Sequence, residues 1–272
     1  MGNHGQKGVN QHERAYRAWT VLTEAARGGR TLTYGGLAAE LGMHHRPLGY
    51  VLEPIQKHCF SENIPPLTGL VVDRFGVPGR GFIGADRDHF REAQERVWAY
   101  DWQSIDNPFA FASDGTSFIE VVDTLAMDPD QAEPIYRMVK SRGMQQMLFR
   151  AAVLQAYGYE CAFTGLSFVE VLDACHIVPW SHASEGQRLD VRNGLPLNST
   201  HHRLFDTGYI TLTPEYRIIY ADPRREDGPY SPADLRMSVD LHRKAVRLPV
   251  NERLHPDPAC IAYRNKLMGW KA

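Results

Sequence analysis

Apolar residues recur at helical spacing over residues 11–28, where Tyr16, Trp19, Val21, Leu22, Ala25 and Ala26 alternate with polar positions and Gly28–Gly29 close the segment. The pattern predicts a first helix. A second is predicted over 33–41: Thr33 can cap it, Leu37, Ala38 and Leu41 form its apolar face, and Gly42 follows. A third begins near Arg46 and Pro47 with Leu48, Val51, Leu52 and Ile55 as its face. Pro54 inside that pattern is expected to bend or shorten it. The period then changes. Residues 67–73 are rich in β-branched positions, 75–81 in Gly and Pro, and Phe82–Ile83 follow, which reads as a two-stranded ribbon.

Beyond this the pattern weakens. Residues 101–134 lack clear periodicity apart from 118–122, a candidate strand, and with Pro129 and Pro134 they read as a linker. Helical spacing returns over 135–157, with a break expected at Gly143. An apolar strand is predicted over 169–180, then a polar loop over 181–188. After residues 189–197 a helix begins, with Asn198 or Ser199 as its cap. The tail from 217 carries many Arg and Lys, but Leu235, Val239, Leu241, Val246, Leu248 and Ile261 predict that it packs on a core. The fold class is therefore α+β. Three helices and a ribbon are the elements of a winged helix, so residues 1–100 are expected to form a winged-helix-like DNA-recognition domain. An acidic linker (101–134) and a catalytic domain (135–272) complete the expected organisation.

Composition narrows the class. Of the 272 residues 43% are hydrophobic, too many for a disordered chain. No run approaches the roughly 18 apolar residues of a membrane span. The polar, Gly-rich residues 1–11 show no apolar core of a signal peptide. Cys59, Cys161, Cys175 and Cys260 lack CxxC spacing, which argues against a disulfide scaffold or a four-cysteine zinc site and fits a cytoplasmic protein. The net charge of −2 conceals an uneven distribution: +2 over 1–100, −8 over 101–134 and +4 over 135–272. An average near zero thus does not exclude a nucleic-acid partner.

The chemistry concentrates between Cys161 and Leu212. His176 stands in the apolar strand, Asn193 follows 17 residues on, and His202 and Asp206 lie at i, i+4 on one helical face. Such a pair can bind one divalent cation. An imidazole opposite it can deprotonate water, and an Asn between them has the donor and the acceptor needed to hold the loop. Together they read as a one-metal phosphodiester hydrolysis site.

Two family resemblances sharpen this reading. The run Thr33–Tyr34–Gly35–Gly36–Leu37–Ala38–Ala39–Glu40–Leu41–Gly42 resembles the helix entry of the winged-helix domain in alkylguanine alkyltransferases and their alkyltransferase-like relatives, which hold DNA and flip a base. Their Pro-Cys-His-Arg has no counterpart here; the ribbon reads Pro65–Pro66–Leu67–Thr68–Gly69–Leu70–Val71–Val72, so alkyl transfer is not predicted. The second resemblance runs from Gly143 to about Tyr220. Here Cys161–Ala162–Phe163–Thr164–Gly165, His176–Ile177–Val178–Pro179–Trp180, Asn193–Gly194–Leu195 and Leu204–Phe205–Asp206 follow the order seen in the restriction-associated branch of the HNH endonucleases, with their ββα-metal fold.

The second resemblance implies His176 as general base, Asn193 as orienting residue, His202 as metal ligand and Asp206 as a second ligand. Many members carry Asp or His just before the base as a further ligand. Here that position is Cys175, either a ligand that would favour a softer metal than Mg²⁺ or a small buried residue, with Asp173 on the same strand face as the other candidate. Arg188, Arg192, His201 and Arg203 surround the site as candidate phosphate contacts. The implied cofactor is a divalent ion (Mg²⁺, Mn²⁺, Ni²⁺ or Zn²⁺), the partner double-stranded DNA, and the assembly a homodimer, with no membrane. The implied activity is restriction or phage defence, with dependence on base modification as one branch. The competing readings are a non-specific or nicking HNH nuclease, a DNA-binding regulator with a degenerate fold, and a first module that binds protein instead of DNA.

Overall fold

In the computed structural model residues 9–85 and 89–270 are described. Most of the polar stretch read over residues 1–11 lies outside them. The chain divides into two compact units: one runs to Glu120 and includes Met138–Met144, and the other comprises Val121–Arg137 and the chain from Gln145 onward. No helix among the described residues is long and apolar enough to cross a membrane.

In the first unit, α1 (Gln11–Arg27) is capped by the Asn10 side chain, which accepts from the His12 and Glu13 amides. After β1 (Leu32–Thr33), Thr33 caps α2 (Tyr34–Glu40) as expected. Helix α3 (Leu48–Ser61) continues through Pro54 and is not shortened by it. The carbonyl deprived of a partner there belongs to Tyr50, an exposed residue, where water can meet it. The expected ribbon does not form. Residues Leu67–Leu70 make a 3₁₀ turn that puts Leu67 and Leu70 in the core, and β2 (Val71–Val72) pairs in parallel with β1. Both valines are buried, which suits an interior strand better than one edge of a two-sided ribbon. Phe82 and Ile83 lie in no strand, and Val72 meets Pro78 through a single antiparallel bridge. Helix α4 (Phe90–Ala99) follows.

The segment read as a linker is folded. Trp102, Phe109 and Phe111 are buried; the Trp19 ring meets Trp102 at 5.7 Å and Phe109 at 6.2 Å. Trp102 Nε1 donates to the Val97 carbonyl and Asn107 Nδ2 to that of Tyr16, at 2.7 and 2.9 Å. Asp101, Asp106 and Asp114 stay exposed, so the acids mark only the outer side of a buried aromatic segment. The candidate strand at 118–122 is instead part of α5 (Phe118–Met127). Its start carries a reciprocal cap: Glu120 accepts from the Ser117 amide and Ser117 Oγ from the Glu120 amide.

Helices α6 (Ala132–Met138) and α7 (Arg142–Ala156) follow, with the break at residues 139–141, just before Gly143. In the second unit β3 (Leu172–His176) and β4 (Gly194–Asn198) form an antiparallel pair, from Leu172 opposite Asn198 to His176 opposite Gly194. Asn198 caps α8 (Ser199–Asp206) by accepting from the His201 amide at 2.9 Å. A Cβ at Gly194 would stand 2.5 Å from Val153 Cγ2 and 2.9 Å from the Phe149 ring, so α7 can approach β4 this closely only at glycine. Strands β5 (Ile210–Leu212) and β6 (Ile218–Tyr220), then α9 (Pro232–Met237) and α10 (Pro258–Leu267), complete the unit. The tail packs as predicted. Asn265 of α10 donates to the Leu212 carbonyl at 2.8 Å, and Arg247 pairs with Glu160 at 3.1 Å.

Candidate active site

A strand sends successive side chains to opposite faces, and the last two residues of β3 use both. The His176 ring stacks on Phe149 of α7 at 3.8 Å, nearly coplanar at 11°, with Trp180 edge-on at 5.5 Å. Its Nε2 lies 3.1 Å from the Arg188 carbonyl oxygen. A carbonyl can only accept, so Nε2 carries the proton and Nδ1 is left as the basic atom. Burial holds the imidazole down at about 4, against an ordinary 6.5, and it stands neutral at pH 7.

That burial has a consequence for stability. Between pH 6.5 and 4 the unfolded chain takes up a proton on this histidine that the folded chain refuses, so stability is lost as the pH falls through that window. His176→Asn lacks the ionisation. The wild type's unfolding temperature is therefore expected to fall relative to the variant's between pH 7 and pH 5. A difference independent of pH would contradict the assignment of a buried neutral ring.

Asn193 holds the loop that carries these groups. Its Oδ1 accepts from the Val178 amide at 2.7 Å, while Nδ2 donates to the Gln187 and Val178 carbonyls at 3.0 and 3.3 Å. Its own carbonyl accepts from the Ile177 amide at 2.8 Å. The side chain is buried, so Asn193→Ala leaves three backbone groups without a partner. A stability loss of about 2–3 kcal/mol is expected in denaturant unfolding, with cleavage impaired because the loop after His176 loosens.

On the other face of β3, the ligand atoms of Cys175, His202 and Asp206 lie within 4.8 Å of one another. His202 Nε2 is 3.3 Å from Asp206 Oδ2, and Cys175 Sγ is 3.7 Å from Asp206 Oδ1. Asp173 stands outside this cluster, its Oδ2 3.3 Å from His202 Nδ1, where it can orient the ring and raise its basicity. Of the two alternatives on this strand face, the geometry thus brings Cys175 into the ligand set and puts Asp173 behind it. Asp206 and Cys175 push the His202 imidazole well above its ordinary range, and His202 in turn holds the Asp206 carboxyl down. Burial pushes the Cys175 thiol up. A sulfur, nitrogen and oxygen donor at this spacing could hold one divalent metal, which would take the place of the protons on the thiol and the imidazole.

The remaining predicted residues separate. His201 is fully buried: Asn198 Nδ2 donates to its Nδ1 at 2.9 Å, and its Nε2 donates to the Met237 carbonyl at 3.0 Å. It cannot reach a phosphate, because the first turn of α8 turns it into the core. The Arg188 guanidinium is engaged by the Tyr136 hydroxyl and the Trp180 carbonyl and lies against both aromatic rings. Arg192 is held by both oxygens of Asp190. Arg203, in the last turn of α8, is exposed. Arg264 carries no local sequence signal that separates it from the other basic residues of the tail. It is 2% exposed and donates to the carbonyl of Phe205, the residue before Asp206.

Residues 161–213 match the family model of the HNH endonucleases, which covers β3, β4 and α8. The second unit thus contains an HNH endonuclease domain, and this class of domain acts on nucleic acid. No curated protein matches the chain.

Proposed function

We propose that the chain is a metal-dependent DNA endonuclease whose second unit hydrolyses the phosphodiester bond and whose first unit, with three helices but without the ribbon of a winged helix, recognises DNA. The observation that carries this reading is the pairing of a neutral His176, whose basic atom is Nδ1, and a Cys175–His202–Asp206 ligand set at the same strand end. His176 Nδ1 removes a proton from water as the water oxygen bonds to phosphorus. The bond from phosphorus to the 3′ oxygen breaks, leaving 3′-hydroxyl and 5′-phosphate ends. Asn193 fixes the loop so that the base keeps its aim. A divalent cation on the three ligands would supply stabilisation for the charge that develops on the phosphate and the departing oxygen. Arg203, exposed beside the site, supplies a phosphate contact.

Each chain carries one such site among its described residues, so a duplex break requires a second copy and a homodimer follows. Restriction or phage defence, in the cytoplasm, is the role that suits such an enzyme. Three helices with a Thr33-capped α2 support DNA recognition by the first unit. A cavity of about 480 Å³ there, lined by Tyr34, Gln56, Thr68, Arg80 and Phe82 among others, supports recognition of an extruded base. The test is digestion of supercoiled plasmid with added Mn²⁺, Co²⁺, Ni²⁺ or Zn²⁺ and analysis of the product ends. Ends bearing 5′-phosphate are expected, and intact plasmid with every metal would overturn the proposal. Equal rates on modified and unmodified DNA would remove the dependence on modification.

A further inference from the structure

Arg264 projects from α10 into the interior, and no carboxylate among the described residues pairs with it. A guanidinium out of water costs several kcal/mol unless something local compensates. Here the direct contacts are carbonyls and a ring, with the charge of the Asp206 carboxylate favouring the cation from beyond ion-pair distance. One terminal nitrogen donates to the Ile177 carbonyl at 3.3 Å, the other to that of Phe205, and the charged carbon lies 3.7 Å from the centre of the Phe205 ring. Nε finds no acceptor among the described residues. The two carbonyls are informative. Ile177 directly follows His176, and Phe205 directly precedes Asp206. One rigid, planar group therefore spans the end of the strand that carries the base and Cys175 and the end of the helix that carries His202 and Asp206.

We propose that Arg264 is a positioning residue of the nuclease site, a clamp that fixes the base-bearing end of β3 against the ligand-bearing end of α8. The inference rests on the proposed nuclease reading for its activity arm, but its metal arm stands independently. Only a forked donor can reach both carbonyls. Lysine keeps the charge but offers a single compact donor point, so Arg264→Lys separates the clamp from the charge. The second carbonyl also belongs to the last turn of α8, where a cation complements the helix dipole. Arg264→Lys keeps that contribution as well. Phe205→Leu provides a second variant, removing the ring on which the guanidinium lies while keeping both carbonyls and an apolar side chain.

The experiment compares the full-length wild type, Arg264→Lys and Phe205→Leu by thermal unfolding, by Co²⁺ titration followed through the visible absorption of the bound ion, and by plasmid cleavage per bound Co²⁺. Displacing ligand and base relative to each other is expected to raise the Co²⁺ dissociation constant about tenfold in Arg264→Lys, as loss of outer-shell support does. It is expected to lower kcat about 10- to 100-fold with KM for DNA unchanged. Phe205→Leu should move both in the same direction by less. A Co²⁺ affinity and a kcat within about twofold of wild type in Arg264→Lys would overturn the proposal. So would loss of cooperative unfolding in both variants, since Arg264 would then serve the fold alone. If wild type binds Co²⁺ but cuts no DNA, the nuclease reading fails. The clamp is then decided by the Co²⁺ affinities.

Discussion

His176→Ala is expected to lower plasmid cleavage by about 10²–10⁴-fold, the contribution of a positioned general base. The geometry makes the effect specific. With Nε2 committed to the Arg188 carbonyl, the ring has one tautomer, and its one basic atom is Nδ1. The stack on Phe149 at 3.8 Å fixes the plane of the ring as well. Removal of the imidazole leaves Cys175, His202 and Asp206 in place, so Co²⁺ binding should stay within a few-fold of wild type while turnover collapses. The check is single-turnover cleavage at matched Co²⁺ occupancy. A loss smaller than about tenfold would assign the base to another group.

The second large effect concerns the choice of metal. Chelation should abolish cleavage, and Co²⁺, Ni²⁺ or Zn²⁺ should restore it better than Mg²⁺, because a thiolate is a soft donor and Mg²⁺ demands oxygen. Cys175→Asp turns the set into imidazole and two carboxylates. That exchange is expected to shift the ratio of Mg²⁺- to Co²⁺-supported activity upward by about tenfold or more, measured as cleavage rates in the two metals. Cys175 is fully buried, so the new carboxylate depends on a bound cation for compensation. The variant should consequently unfold at a lower temperature than wild type when metal is chelated, and recover when metal is added. An unchanged metal preference would show that Cys175 only fills space.

Much of the site was legible because its parts are local. Asn198 capping α8, His202 and Asp206 one turn apart, and Asp173 and Cys175 on one strand face all follow from short-range periodicity. What periodicity cannot supply is distance between elements. Nothing in the strand pattern says that Cys175 reaches Asp206 while Asp173 falls behind His202; that depends on how α8 crosses β3. Arg264 lies 59 residues from Phe205 in the chain, and a basic tail looks the same whether one member turns inward or none does. The burial of His201 has a related cause. Adjacent histidines on a helix point about 100° apart, so one joins the ligand set and the other enters the core. In the acidic segment the charges suggest exposure, yet three aromatics spaced along it, Trp102, Phe109 and Phe111, suffice to bury it. Its helix does carry a local signal, the Ser117–Glu120 cap, which outweighs the β-branched Ile119, Val121, Val122 and Thr124 inside it.

The claim that this ββα site is a metal-dependent nuclease is tested most directly by adding Co²⁺ stepwise to chelated protein while following the absorption of the bound ion and the nicking of supercoiled plasmid in the same samples. Cleavage is predicted to rise in step with occupancy and to level off at one ion per chain. Cleavage that persists in chelator, or a fully loaded site that leaves the plasmid intact, would contradict it.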